Sequence, residues 1–137
     1  IYFYFFKCYN FYEVTKMITG EFLDYNNVVV SEDEKGYKVS VEITDRTLNP
    51  FDMVHGGLTF SLGDTVMGLE TRKISGGKTA VTLNASIEFL RPGKGKYLIA
   101  RGKVIKLGKQ TCTLQAEIKN EEDKLIAIMT STYVFIS

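Results

Sequence analysis

Alternating apolar and polar residues predict a pair of strands early in the chain. Every second residue between positions 37 and 43 is apolar, and the residues between them are Lys38, Ser40 and Glu42. A period of two is typical of a strand with one buried face. An apolar run over residues 28–30 precedes this segment and is separated from it by a polar turn over residues 32–36, so the two segments are predicted to form a hairpin.

The spacing becomes helical after Pro50. Apolar residues recur at steps of four, four and three, which places them on one side of a helix: Leu58, Leu62, Val66 and Leu69. The glycines at 76 and 77 predict the helix end. Four segments with strand character follow, joined by short turns: residues 81–89, 97–106, 111–118 and 125–135.

This order of elements predicts an α+β domain in two layers. A strand pair, one long helix and three or four antiparallel strands give a curved sheet of five or six strands wrapped around a central helix. A chain of 137 residues suits one hydrophobic core. We predict a single domain over residues 28–137.

Residues 1–27 are interpreted as a lead-in to that domain. Residues 11–26 are compatible with a helix or an irregular segment, followed by a turn at 24–27. The apolar opening over residues 1–6 lacks a basic leader, a long hydrophobic run and a small-residue cleavage site, so it predicts neither a signal peptide nor a membrane span. Met17 is a natural start, and residues 1–16 are expected to lie partly outside the native protein.

Composition excludes several classes of function. Lys and Arg total 17 against 16 Asp and Glu, so a net charge of +1 predicts no affinity for nucleic acid or for an anionic membrane. The two cysteines, Cys8 and Cys112, predict no disulfide framework, and a single histidine leaves no imidazole cluster for a metal. A reducing cytoplasmic setting, with Cys112 in the core, is expected.

The candidate chemistry lies in residues 49–57 and at Asp64. Gly56 and Gly57 fall at the predicted helix start, where backbone N–H groups lack intrahelical partners and can hold a carbonyl oxygen. The adjacent His55 is the only histidine, and Asn49 offers an amide N–H to the same oxygen. Asp64 lies two turns further along the helix between apolar neighbours, where partial burial makes a carboxylate usable as a base or nucleophile.

Taken singly, these residues have ordinary explanations. A lone histidine is usually structural, a glycine pair usually marks a turn, and Asn before Pro is common turn chemistry. Only the combination favours an active site.

The combination resembles the hotdog-fold thioesterases, in particular the phenylacetate-degradation type of acyl-CoA thioesterase. The likeness covers about residues 28–135 and rests on these motifs: Asn49-Pro50, Val54-His55-Gly56-Gly57, Leu62-Gly63-Asp64, Phe89-Leu90-Arg91-Pro92 and Gly108. The His-Gly-Gly sequence with an Asp nine residues after the His is the more specific match. The resemblance implies hydrolysis of an acyl-CoA to a free acid and CoA, with no cofactor.

The resemblance also implies an assembly and a set of roles. The chain is expected to form a homodimer through residues 81–89, and often a homotetramer, with active sites at the dimer interface. The Gly56 N–H and the Asn49 side chain would hold the thioester carbonyl, Asp64 of the neighbouring subunit would act as general base or nucleophile, and His55 would shape the loop. Gly57 would assist in substrate binding.

Further residues follow from the same resemblance. The Ser or Thr that often places the water falls on Thr82, although strand alternation turns Thr82 away from the helix unless a bulge or the dimer geometry intervenes. Arg91 would meet the phosphates of CoA. The acyl group would lie along the helix against Phe60, Met67 or Leu90.

Two other functions remain open. A hotdog domain can bind acyl-CoA as a sensor without turnover, although a partly buried Asp64 near a thioester favours an enzyme. An enoyl-CoA hydratase or dehydratase is suggested by Asp45, Asn49, Pro50 and His55, but the spacing and the paired glycines favour a thioesterase.

Overall fold

The computed structural model describes residues 20–137. A long central helix spans Gly56–Ile74, a 3-10 turn spans Asp45–Thr47, and residues 20–25 are helical. The strands are β1 (Val29–Asp33), β2 (Gly36–Glu42), β3 (Ala80–Phe89), β4 (Tyr97–Leu107), β5 (Thr111–Asn120) and β6 (Leu125–Phe135). The predicted hairpin, long helix and four later strands are each present, with bounds within two residues for the later strands.

The strands form one antiparallel sheet in the order β1-β2-β4-β5-β6-β3. The strand that follows the helix therefore lies at one edge of the sheet, and β1 lies at the other. One helix packed on one sheet confirms the predicted α+β architecture with six strands.

The core lies between the helix and the sheet. Leu62, Val66 and Leu69 are buried, as the helical spacing predicts, and Cys112 is fully buried among them. After the helix, Gly76 and Gly77 adopt positive φ and donate their N–H groups to the carbonyls of Lys73 and Arg72. These bonds satisfy the last helical carbonyls and confirm the predicted end.

Within its described part, residues 20–27, the predicted lead-in has one buried apolar side chain. Leu23 is 5% exposed and belongs to the helical segment at 20–25. The predicted turn follows, with Asn27 in the left-handed region. Residues 1–19, including Cys8 and Met17, lie outside the described residues.

The helix approaches β6 closely at Gly63. A Cβ at this position would lie 2.6 Å from Met129 Sδ and 3.4 Å from Ile118 Cδ1, both on fully buried side chains. Because neither side chain has free space to move into, only glycine fits here. This contact brings the neighbouring Asp64 toward the sheet.

The first half of β3 faces the opposite way from the simple alternation predicted for residues 81–89. The pairing with β6 shifts register between Thr82 and Asn84, so Leu83 is bulged and exposed. Ala85 and Ile87 pack against the core after the bulge. Before it, Ala80 packs inward and Thr82 reaches the helix. The alternation predicted Val81 and Leu83 on the inner face, and that prediction is wrong because of the bulge.

Alanine at Gly63 is predicted to destabilise the protein, whereas alanine at Gly68 is not. Replacing a helical glycine gains up to about 1 kcal/mol in helix propensity, but overpacking beside Met129 costs about 1–3 kcal/mol. A Gly68 Cβ would meet Tyr133 at an ordinary 3.5 Å. Urea unfolding of Gly63→Ala and Gly68→Ala at one protein concentration compares them, and equal free energies of unfolding would contradict the close-packing argument.

Candidate active site

Asp64 is half-buried on the central helix and is held by two hydroxyl groups. Thr82 Oγ1 donates to Asp64 Oδ1 at 2.8 Å, and the Tyr133 hydroxyl lies 2.8 Å from the same oxygen. No side chain among the described residues donates to Oδ2. One carboxylate oxygen is therefore fixed and the other remains available for chemistry.

The bulge in β3 brings Thr82 to this carboxylate. Alternation in step with residues 85–89 would turn Thr82 away from the helix, whereas the register shift after Thr82 turns it inward. The bulge is thus the exception that the sequence interpretation allowed for. The role of Thr82 in placing water stays a prediction.

Tyr133 was not predicted as a site residue. It lies on β6 with its side chain 3% exposed, and burial, followed by the negative charge of Asp64, raises the pKa of its hydroxyl well above the ordinary range. The group therefore remains protonated as a donor at any working pH. One signal was present in the sequence: Ser131 and Tyr133 occupy inward positions of a strand that is otherwise apolar on that face.

Asn49 shapes the loop that leads to the helix. Its side-chain Oδ1 accepts from the backbone N–H groups of Phe51 and Met53, at 2.9 and 3.2 Å. The side-chain oxygen is thus occupied inside the loop, which leaves the amide N–H₂ as the group that can meet a ligand. Asn49 therefore has a turn role together with its predicted donor role.

His55 caps the central helix. Its Nδ1 accepts from the Gly57 N–H at 2.9 Å, which satisfies one of the orphan donors of the first turn. The predicted contact of the Gly57 N–H with substrate therefore competes with this cap. The Gly56 N–H has no acceptor among the described residues, so it is the open donor at the helix start.

The carboxylate and the open donor line separate grooves. Asp64, Thr82 and Tyr133 line a groove of about 520 Å³, whereas Asn49 and Gly56 line one of about 330 Å³. Gly56 and Asp64 are eight residues apart, which corresponds to about 12 Å along a helix. Within one chain they cannot contact the same thioester carbonyl.

Other predicted residues have mixed placements. Arg91 lines the smaller groove with Leu90, while its Nη1 donates to the Leu125 carbonyl at 2.9 Å. Phe60 packs against the core and lines neither groove, so its contact with an acyl group stays a prediction. Met67, in contrast, is fully buried in the core, and the suggestion that it lines an acyl slot is wrong in this structure. Two cations that were not anticipated, Arg72 and Lys78, line the groove of Asp64.

Comparison with known proteins identifies the family. The thioesterase superfamily profile matches residues 51–127, which include most of the loop, the helix, three whole strands and the start of β6. The chain belongs to this superfamily. The enzyme class predicted from the sequence, a thioester hydrolase, is confirmed at the level of the family.

Individual relatives indicate which type of thioesterase the chain resembles. Acyl-coenzyme A thioesterase PaaI of Escherichia coli K12 is 38% identical over 101 residues, which are 73% of this chain and 71% of PaaI. The structure of the E. coli PaaI protein from the phenylacetic acid degradation operon superimposes with a TM-score of 0.80 at 30% identity, covering 90% of this chain and 91% of that one. The expected PaaI-like hotdog thioesterase type is confirmed.

A structure with CoA is also similar. The BH2602 protein from Bacillus halodurans, solved with CoA, has a TM-score of 0.79 and 30% identity, covering 85% of this chain and 78% of that one.

Within residues 20–137, no helix is long and apolar enough to cross a membrane, and no three His, Cys, Asp or Glu residues are grouped to hold a metal ion.

The cap at His55 gives a testable expectation. His55→Ala is predicted to lower the free energy of unfolding by about 1 kcal/mol because it removes the acceptor for Gly57. His55→Asn, which supplies an N-cap oxygen, is expected to retain most of that stability. Chemical unfolding of the two variants measures the difference; an alanine variant as stable as the asparagine variant would show that the histidine cap contributes nothing.

Proposed function

We propose that this protein is an acyl-CoA thioesterase that hydrolyses a thioester to a carboxylic acid and CoA. The observation that carries the proposal is the half-buried Asp64, which lines a groove and whose Oδ1 is held by hydroxyl groups, while no described side chain donates to Oδ2. Membership in the thioesterase superfamily and the activity named for the E. coli relative support it.

In this proposal Asp64 acts on the carbonyl carbon either directly or through water. As a general base it takes a proton from water, whose oxygen attacks the carbon, and the C–S bond then breaks to release CoA as the thiol. As a nucleophile it attacks the carbonyl carbon and expels CoA as the thiolate when the C–S bond breaks, and water then cleaves the resulting anhydride to the free acid and the Asp64 carboxylate. Both routes need the same free carboxylate oxygen.

Gly56 and Asn49 would stabilise the oxyanion that forms during either route. The Gly56 N–H is unpaired among the described residues and lies at the positive end of the helix dipole. The Asn49 amide lines the same groove. One such donor is worth about 100-fold or more in rate.

A complete site requires a second copy of the chain, since the two halves of the machinery lie in separate grooves. Strand β3 offers the surface for that copy. It is a ten-residue edge strand with Val81, Leu83 and Phe89 exposed. A long apolar edge of this kind favours pairing with another strand. A homodimer formed by two antiparallel β3 strands is therefore the minimum assembly that we propose.

The geometry of β3 indicates how such a dimer would complete the site. A Gly56 Cβ would lie 3.1 Å from the Phe89 ring at one end of β3, and Asp64 contacts Thr82 near the other end. A two-fold axis at the middle of β3 places Phe89 of one copy opposite Ala80 of the other. That arrangement brings Gly56 of the second copy toward Asp64.

Removal of the carboxylate is predicted to abolish turnover without abolishing binding. Asp64→Asn is expected to lower kcat/KM by at least about 100-fold, because the amide can serve neither as base nor as nucleophile. Thiol release from a panel of aromatic and aliphatic acyl-CoAs measures the rate, and calorimetry measures binding. Tight binding by the unaltered protein without release of thiol would favour the acyl-CoA sensor instead.

Mixed dimers are predicted to recover activity. In Asn49→Asp the loop acceptor is retained but the amide donor is lost, so this variant is expected to be inactive, as is Asp64→Asn. If each site takes Asp64 from one chain and Asn49 from the other, co-assembly of the two variants restores one intact site per mixed dimer. Thiol release after refolding them together tests this.

The matched control is Asp64→Asn mixed with the Asp64→Asn/Asn49→Asp double variant, which contains no intact site. Recovery no greater than in this control would place Asp64 and Asn49 of one site on the same chain and contradict the shared site.

A further inference from the structure

Tyr133 contacts two oxygens of Asp64. Its hydroxyl lies 2.6 Å from the main-chain carbonyl oxygen of Asp64 and 2.8 Å from Oδ1. These contacts to the backbone and the side chain of one residue restrict rotation of the carboxylate about its side-chain torsions. The Tyr133 side chain is itself buried on β6.

Thr82 donates to the same oxygen from β3, on the other side of the strand pairing. Two donors on Oδ1 and none among the described residues on Oδ2 make the two oxygens unequal. The phenol has a single hydrogen, so it is either shared between its two acceptors or directed to one of them. In either case the Tyr133 and Thr82 hydroxyl groups lie against Oδ1, and Asp64 lines the groove.

We propose that Tyr133 is a positioning residue for hydrolysis, which acts through Asp64 by holding Oδ1 and so presenting Oδ2 to the attacking water or the thioester. The proposal rests on the proposed function, because it assigns to Tyr133 a part in the work of Asp64. Correct orientation of a reacting group is worth large factors in rate, and an unrestrained carboxylate samples orientations that do not react.

The raised pKa of the Tyr133 hydroxyl is consistent with this role. Burial and the charge of Asp64 both oppose ionisation of the phenol, so it stays a neutral donor throughout the working pH range.

The test is Tyr133→Phe, which keeps the buried ring and removes only the hydroxyl. We expect kcat for thiol release to fall about tenfold or more, while KM for the acyl-CoA stays within about twofold. The matched control is Tyr37→Phe, a partly buried tyrosine on β2 that lines neither groove, which should change neither quantity.

A double-mutant cycle separates positioning from a general effect on the fold. In the Asp64→Asn background, Tyr133→Phe is expected to have no further effect on the residual rate, because the group through which it acts is gone. A loss of equal size in both backgrounds, or an unchanged kcat in Tyr133→Phe, would overturn the proposal.

The two hypotheses fail in different ways. An Asp64→Asn variant with full activity would refute the proposed function, whereas an inactive Asp64→Asn beside a fully active Tyr133→Phe would refute only the role of Tyr133. If Tyr133→Phe does not fold, 3-fluorotyrosine at position 133 supplies a more acidic donor of similar size. It should alter kcat while KM stays within about twofold, and an unchanged kcat would count against the proposal.

Discussion

Close packing of the central helix against β6 determines where the candidate catalytic group lies. Gly63 has no room for a side chain beside Met129, so the helix backbone can approach the sheet at this turn. The next residue is Asp64, and a short carboxylate reaches Thr82 and Tyr133 only because the helix lies this near. A bulkier residue at 63 would move the helix outward and lengthen both contacts. Packing of the core and placement of the carboxylate are thus consequences of one contact.

Much of the architecture follows from patterns that act locally. The helical spacing of Leu62, Val66 and Leu69 and the alternation within the strands report which side of an element is buried, and the structure agrees with both outside the first half of β3. The glycines at 76 and 77 ended the helix where their conformational freedom predicted. The motif residues were also informative, because a glycine pair after a loop and an Asp two turns later describe a helix terminus and a position on its face.

Other features depend on contacts between distant segments and could not be predicted in this way. The bulge after Thr82 reverses the facing of half a strand, and nothing in the alternation of apolar residues marks it. Tyr133 reaches Asp64 across 69 positions of sequence, so its role appears only when β6 and the helix are packed together. The spacing of Gly56 and Asp64 in the sequence already implied that they lie apart along one helix. The structure adds that they line two different grooves.

The bulge in β3 has a further consequence for any strand that pairs with its free edge. A uniform strand can slide by two residues and still present the same side chains to the same face, so its pairing register is weakly specified. The inserted residue at Leu83 breaks that equivalence, because side chains before and after it have opposite parity. A slide of two residues changes which residues of the partner strand lie opposite the bulge, so the possible alignments are no longer equivalent. The inserted residue that turns Thr82 inward would therefore also help to fix the register in which the β3 strands of two chains pair.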